Sequence, residues 1–534
     1  MALLDNLQRR SHEILVVALA CLLPSLALAG PPAAPTLSVA ASNIRQLEFR
    51  WDSVPGVARY ELWFLPGPGA AWVKYAEQPA QRATLFRVGV SVHLLDWRAA
   101  RYYVNACNPS GCTPSNEVGV DGEQLAAIGF VKPQSPRSNR HFGSNVAVSA
   151  DGLTFATMSS ESIGTKTFSP TLHVFRRNTL SSGWHREARL VPSVVESWWT
   201  GLPGIDSVAI SGDGNLAILS TGEHHDSQDY QGAVYLFRRS GTTWTESQKL
   251  SLDVPDDEFG YVVKLDEAGR TIAVMHGQRP DRGLATAPRG TIEIYRDAEN
   301  DGIDQFVWSA TVPVPPNPYG SPDILACYQL AMSGDGRSLL RSCRWEEWGE
   351  GFTQVLSAPS WSESARLDSG LIYGAELSHD GSTAVVQNWA TAQVWKLGTA
   401  GWESEGQLNG AINFNTGRDH RRIALSRDGK ILALGVESEY TAGVGPLYPP
   451  YVAGPNNKGT GSVAIFQRKP SGWTLRRLVK PGSTNVGFFG NSVALGDNGR
   501  LLIVGAPVDP SAATGIDGDR TDASSPERGA VWIY

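Results

Sequence analysis

Two short acidic stretches are the first places in this sequence where side chains are spaced for chemistry. In Asp-Ala-Glu-Asn-Asp-Gly-Ile-Asp, the residues Asp297, Glu299 and Asp301 alternate ahead of Gly302. Calcium loops offer oxygen ligands around a glycine turn in this order. The bidentate glutamate that completes such a loop falls on Trp308. Asp-Gly-Asp-Arg-Thr-Asp gathers Asp517, Asp519 and Asp522 in a second stretch. Both sets are candidate calcium ligands, set against the favoured reading of each stretch as a solvated polar turn. His224, His225 and Asp226 contain metal-binding side chains, but adjacent histidines on a strand point to opposite sides. The chain has no Gly-x-Ser-x-Gly elbow, no His-Glu-x-x-His, no phosphate loop and no dinucleotide fingerprint. We assign no catalytic residue and no cofactor, with calcium held open at the two acidic loops.

A second chemistry is recognition by aromatic side chains, which stack on sugars or anchor protein partners. Trp198, Trp199, Tyr230, Tyr319, Tyr440, Tyr448 and Tyr451 lie in connections between apolar runs, where such a surface could be built. The competing role for the same residues is packing between neighbouring repeats.

The elements that must position these residues come from a repeat. A strand, a turn close to Ser-x-Asp-Gly and a second strand recur as VAVSADGLTFAT, VAISGDGNLAIL, VKLDEAGRTIAV, LAMSGDGRSLLR, AELSHDGSTAVV, IALSRDGKILAL and VALGDNGRLLIV, seven copies between 146 and 504. Most copies continue with a loop, a third strand such as AVYLFRR, and a fourth that often opens on tryptophan, as in GWHREARL. Four strands per unit and seven units imply a propeller, whose radial closure protects its sheet edges. The last copy stops at Tyr534 after its third strand. Residues 127–132 match the fourth-strand ending LRRLVKPG, so Gly129 to Lys132 are expected to complete the final blade. The longest connections between second and third strands, Glu437 to Gly461 and Ala506 to Gly529, are expected on one loop-rich rim, since loops of that length usually carry function.

The recurring Phe-Gly at Phe142-Gly143, Phe259-Gly260 and Phe489-Gly490, with Gly505-Ala506-Pro507 in the last copy, resembles the FG-GAP repeat family, related to the propeller of integrin α chains. The resemblance covers residues 123–534 and is weakest in the fourth and fifth copies. It implies calcium loops between first and second strands, but here those loops are cut to one carboxylate each. Asp151, Asp213, Asp335, Asp380 and Asp428 are therefore read as turn formers.

Residues 36–120 read as a separate domain of short alternating strands. Trp51, the Pro-Gly-Val-Ala-Arg-Tyr-Glu-Leu run and Tyr102-x-Val-x-Ala before an Asn/Gly-rich hairpin resemble the fibronectin type III family. The fold expectation is all-β: an immunoglobulin-like β-sandwich of fibronectin type III kind, followed by a seven-bladed β-propeller. Residues 30–35 form a Pro/Ala linker.

Arg9 and Arg10 ahead of an apolar stretch ending in Ala27-Leu28-Ala29 read as a signal peptide over 1–29. The rival reading places a lipoprotein anchor at Cys21. Removal of Cys21 leaves four cysteines in two local pairs, Cys107 with Cys112 and Cys327 with Cys343, as export to an oxidising compartment favours. A three-residue turn of Gly334 to Gly336 pairs Ser333 with Arg337 and, stepped outward, sets Cys327 opposite Cys343. That register favours a cross-strand disulfide, the alternative being two buried free thiols.

With 46 basic against 53 acidic residues, a net charge of −7 and no basic stripe, the chain lacks the electrostatics of a nucleic-acid binder. No further segment reaches membrane-spanning length. The expected function is secreted or cell-surface binding of an extracellular protein or polysaccharide, without catalysis. The alternative is an extracellular glycosidase or lyase with its catalytic carboxylates on a propeller.

Overall fold

The computed structural model describes residues 30–534 apart from 83, 135–138, 163–167, 194–206, 222–230, 253, 255–256, 278–288, 298–304, 316–324, 346–350, 369–371, 389–390, 409–422, 438, 440, 450, 453–459, 485, 522–523 and 525–527. The chain is all-β and forms two compact units. The first takes the described residues up to 40 with 48–86 and 96–121; the second takes 41–47, 87–95 and 122–534. None of the described helices is long and apolar enough to cross a membrane.

The N-terminal region holds two sheets. Leu37–Asn43, Gln46–Trp51 and Leu85–Gly89 form one; Val73–Pro79, Arg59–Leu65, Arg101–Asn108 and Gly111–Pro114 form the other, with Val118–Gly119 also on Arg101–Asn108. Alternation along these strands turns Phe49, Trp51, Tyr60, Leu62, Tyr102 and Val104 inward. The rings of Phe49 and Tyr102 lie 4.5 Å apart and those of Trp51 and Tyr60 5.1 Å. Cys107 and Cys112 are directly opposed in the last hairpin and form a disulfide.

The second unit is a β-propeller. Antiparallel sheets of four or five strands follow one another, numbered here in chain order from sheet one to sheet seven. Their first strands are Val146–Val148, Val208–Ile210, Val262–Leu265, Leu325–Met332, Ile372–Leu377, Ile423–Leu425 and Ser492–Gly496. Neighbouring sheets pack face to face through apolar side chains. Met158 and Val174 of sheet one meet Leu219 and Tyr235 of sheet two. Val385 and Val394 of sheet five meet Leu434 and Phe466 of sheet six. Ile503 and Val531 of sheet seven meet Phe155 and Phe175 of sheet one, which closes the circuit.

The outer strand of sheet seven comes from the N-terminal side of the unit. Gly129–Lys132 pairs antiparallel with Ala530–Ile533, setting Phe130 opposite Trp532 and Val131 opposite Val531. Phe142 bridges Gly529, and Phe489 bridges Gly461, so each Phe-Gly step stitches the start of one sheet to the third strand of the sheet before it.

The Ser-x-Asp-Gly turns have the same internal wiring. Ser211 Oγ donates to Asp213 Oδ1 at 2.6 Å, and that oxygen accepts Asn215 N–H at 3.0 Å. Ser149 with Asp151, Ser333 with Asp335, Ser378 with Asp380 and Ser426 with Asp428 repeat the hydroxyl–carboxylate bond. The turns also bond to one another. Asp497 N–H donates to Ala150 O, Asp151 N–H to Gly212 O, Gly212 N–H to Glu267 O, Glu267 N–H to Gly334 O and Asp335 N–H to His379 O. Arg427 Nη2 reaches His379 Nε2 at 3.3 Å, and Asp428 N–H donates to Asn498 Oδ1 at 3.1 Å. The links run through every turn and return to the start.

Sheet four holds the second disulfide, with a register that differs from expectation. Ser333 N–H bonds to Ser338 O and Met332 faces Leu339, so the turn is one residue longer than the three-residue loop. A β-bulge at Tyr328 takes up the extra residue and returns Cys327 opposite Cys343, where the two are bonded.

The unit also includes Ala41–Leu47 and Arg87–Leu95. Arg45 Nη2 donates to Arg500 O at 2.6 Å, and His93 Nε2 lies 2.9 Å from Gly499 O.

Candidate functional site

Lysine fixes the bases of the two longest loops. In sheet six, Lys480 has no exposed side-chain surface; its Nζ lies 2.8 Å from Glu439 Oε2 and donates to Gly461 O at 2.9 Å and Thr460 Oγ1 at 3.1 Å. In sheet seven, Lys132 is equally buried and bonds Asp509 Oδ1 at 3.0 Å. Both lysines stand in the Val-Lys-Pro of a fourth strand, and both partners stand where the loop leaves the second strand. Burial pulls each ammonium below its ordinary value against the pull of its carboxylate.

Both loops return to the outer edge of their sheets. Pro446–Leu447 pairs with Leu478 and Val479, and Gly515–Ile516 pairs with Lys132 and Val131. A fifth strand thereby covers an edge that would otherwise stay open. This sets the surroundings of the expected aromatics. The guanidinium of Arg477 lies 4.7 Å over the Tyr448 ring and donates to its hydroxyl at 3.3 Å. Tyr451 packs half-buried against the core shared by sheets five and six. Trp198, Trp199, Tyr230, Tyr319 and Tyr440 lie outside the described residues.

Of the acidic set, Glu299, Asp301 and Asp522 lie outside the described residues. Asp297 ends a strand of sheet three, 3.4 Å from Arg238 of sheet two. Asp517 Oδ1 accepts Phe130 N–H at 3.0 Å, and its own N–H donates to Phe130 O at 2.7 Å. It thus clips the outer strand of sheet seven. Asp519 is exposed and accepts the Thr521 N–H and hydroxyl. Among the described residues the one grouping with metal-ligand spacing is Glu61, Cys107 and Cys112, whose cysteines are consumed by their disulfide.

The first strands of all the sheets line a central channel of about 300 Å³. Each runs toward its turn. Ser144, Asn145, Ser207, Tyr261, Tyr328 and Gln329 therefore ring the mouth on the loop side, while Lys264, Met332, Glu376 and Leu495 lie toward the turns. Lys264 Nζ of sheet three lies 3.6 Å from Glu376 Oε2 of sheet five, bridging past sheet four. Farther out, Glu267 contacts His379, and Arg427 Nε reaches Glu267 at 3.2 Å. These residues belong to sheets three, five and six, so a second ionic layer crosses the turn side. At the loop side, the Arg289 guanidinium lies 3.8 Å over Tyr261 and is held by Glu258 at 2.6 Å, while Arg344 lies 4.5 Å over Tyr328.

The channel was readable in the repeats but only by column. In the seven aligned first strands, the position two before the turn serine or its counterpart is Ala147, Ala209, Lys264, Ala331, Glu376, Ala424 and Ala494. One lysine and one glutamate in a ring of alanines mark the cross-channel pair. Reading each copy for its own motifs passes over them.

No family model and no curated protein matches the chain. Solved structures do. A hydrazine synthase of Kuenenia stuttgartiensis matches at 12% identity over 68% of this chain and 92% of that one, with a TM-score of 0.43. The Dos1 propeller matches at 11% identity over 78% and 96%, with a TM-score of 0.41. A putative 6-phosphogluconolactonase from Bacteroides uniformis matches at 14% identity over 67% and 90%, with a TM-score of 0.39. At these scores the likenesses carry no argument about activity.

Proposed function

We propose that this chain is a secreted or cell-surface binding protein that holds an extracellular protein or polysaccharide without transforming it. In this reading residues 1–29 are a signal peptide, 36–120 a fibronectin type III-like spacer, and 123–534 a seven-bladed, FG-GAP-like propeller whose loop side meets the ligand. The observation that carries the reading is the chemistry of the channel. Its described lining offers hydroxyls, amides and aliphatic groups, and its carboxylate, Glu376, is ion-paired with Lys264. Glycoside hydrolysis needs two carboxyl groups flanking one bond, one of them free to move a proton. The pinned loops support the same reading, because surfaces held in place before binding lose less entropy on binding.

The test is to present mature protein, residue 30 onward, to immobilised glycans and extracellular-matrix proteins, with and without chelator. Selective, saturable binding that is lost when the loops of sheets six and seven are shortened supports the proposal. Chelator sensitivity would assign calcium to the acidic loops. Release of reducing ends or unsaturated products from a polysaccharide would overturn the proposal in favour of a propeller enzyme.

A further inference from the structure

A second cavity, about 290 Å³, opens away from the channel, between the long loops of sheets six and seven. Ser483 and Thr484 line one wall, just past the buried Lys480, and Asp509 and Arg520 line the other. The two charged side chains in this lining differ. Asp509 is spent: its carboxylate meets Lys132 Nζ at 3.0 Å and accepts Ser511 N–H at 2.9 Å. Arg520 is half-buried and donates from Nη2 to Ile128 O at 3.2 Å, with its guanidinium 5.7 Å from the Trp532 ring. That is its one hydrogen bond among the described residues, although a guanidinium carries five N–H donors. Asp517 feels its charge without forming an ion pair, and is bonded to Phe130 instead. Gly482, also in the lining, has no left-handed backbone to explain it. A Cβ there would lie 2.7 Å from Arg520 Nη1 and 3.0 Å from the Trp532 ring. The glycine therefore makes room for the guanidinium at the cleft wall. A cation drawn partly out of water without a counter-charge favours the arrival of an anion.

We propose that this cleft binds one acidic sugar residue of a polysaccharide, its carboxylate or sulfate ester held by Arg520. This rests on the binding-protein reading and names the ligand class of the loops invoked there. Three observations select the class. With Asp509 neutralised by Lys132, the uncompensated charge in the described lining is positive. The planar guanidinium fork matches the paired oxygens of a carboxylate or sulfate. The volume lies at the small end of ligand pockets, which suits one ring. The rest of the lining is mixed: the hydroxyls of Ser483 and Thr484 beside Val444 and Val486. An acidic sugar carries its charge, its hydroxyls and its apolar C–H groups on one rigid ring, so a single residue meets all three. Both walls are fixed at their bases by the Lys480–Glu439 and Lys132–Asp509 pairs, so little order is lost on binding.

The experiment titrates mature protein, residue 30 onward, with methyl glucuronide, methyl galacturonide and sulfated N-acetylglucosamine, using calorimetry and ligand-observed NMR. The methyl ester of each uronide and the neutral methyl glucoside control for charge, and an amine-blocked tripeptide with a free carboxylate stands for a peptide ligand. The expected result is one-to-one binding of at least one acidic sugar, weakened by added salt. Arg520→Gln should weaken it about tenfold or more, as loss of a charge-assisted hydrogen bond predicts. Arg520→Lys, which keeps the charge without the fork, should fall between. Gly482→Ala should weaken it by displacing the guanidinium. Thermal unfolding checks that the variants fold, and the comparison of uronide with ester needs no variant. Four results overturn the cleft: no acidic sugar binds, the ester or neutral glycoside binds as well, the peptide carboxylate is preferred, or folded Arg520→Gln binds unchanged. Macromolecular binding that persists in folded Arg520→Gln sinks the cleft alone and leaves the binding-protein reading standing. Absence of all binding by folded wild-type protein sinks both.

Discussion

Gly143 is held at φ 90°, and a Cβ built there would lie 2.2 Å from Ala530 O. The Phe-Gly step brings two backbones together between sheets seven and one, and no side chain fits. Gly472 shares the left-handed backbone, φ 105°, with nothing within 4 Å of its Cβ. Gly143→Ala is therefore expected to destabilise by more than about 3 kcal/mol, and Gly472→Ala by about 1 kcal/mol from backbone strain alone. Urea unfolding of both measures the difference, and equal losses would contradict the steric account. Lys480 offers a second residue-scale test. Lys480→Met leaves Glu439 buried without its cation and should cost about 3–5 kcal/mol, with Glu439→Leu in the same chain restoring most of it. Additive losses in that double mutant would show that the two side chains do not depend on each other. Residues of this kind differ in how far the sequence announces them. Ser-x-Asp-Gly is visible because all of its bonds are local. Lys480 looks like any strand lysine, because its partner Glu439 is 41 residues away and meets it only after the loop has folded back.

At the scale of elements, hairpins were readable and their details less so. The Cys327–Cys343 pairing follows from counting outward from the turn, but the count reaches it through two departures that cancel: a turn longer by one residue and a bulge at Tyr328. Bulges leave no mark in composition, and one recurs between third and fourth strands, its extra residue on the fourth strand at Glu187, Ser247, Ser309, Ser364, Glu405 and Arg476. The long loops were readable as long, but their return to the sheet edge was not, since a two-residue strand such as Pro446–Leu447 has no periodicity to detect. That return has a measurable consequence. Replacing residues 443–449 by a short Gly/Ser linker uncovers the hydrogen-bonding edge of Gly472–Val479. Open edges template strand addition, so the shortened protein is expected to self-associate in light scattering at concentrations where the parent stays monodisperse. Unchanged scattering would mean that the fifth strand does not protect the sheet.

At the scale of the whole molecule, three buried histidines set opposite limits on stability. Burial pushes His93 and His173 down to about 3, helped by neighbouring arginines. Both stay neutral in the fold and charge in the unfolded chain below the ordinary histidine value of about 6.5. The unfolded state then binds more protons, so stability falls as pH drops from about 6.5 toward 3. His276 behaves in the other direction. Burial alone would lower it, but Asp257 at 2.6 Å and Glu293 at 3.5 Å outweigh that and raise it to about 9. Its contribution is complete below about 6.5 and is lost as pH rises toward 9, because there the folded state holds a proton that the unfolded chain has released. The turn carboxylates add to the acid limb. Burial opposes their ionisation, yet bonds from Ser211 and Asn215 hold Asp213 below its usual value, as those from Ser378 and Ser382 hold Asp380. The midpoint of thermal unfolding is therefore expected to peak near pH 6–7 and to fall on both sides, by the equivalent of a few kcal/mol at either end. His276→Gln should lower the peak and flatten the alkaline limb between about pH 6.5 and 9 while leaving the acid limb in place. An alkaline limb of unchanged slope in that variant would remove the Asp257–His276–Glu293 cluster from the account.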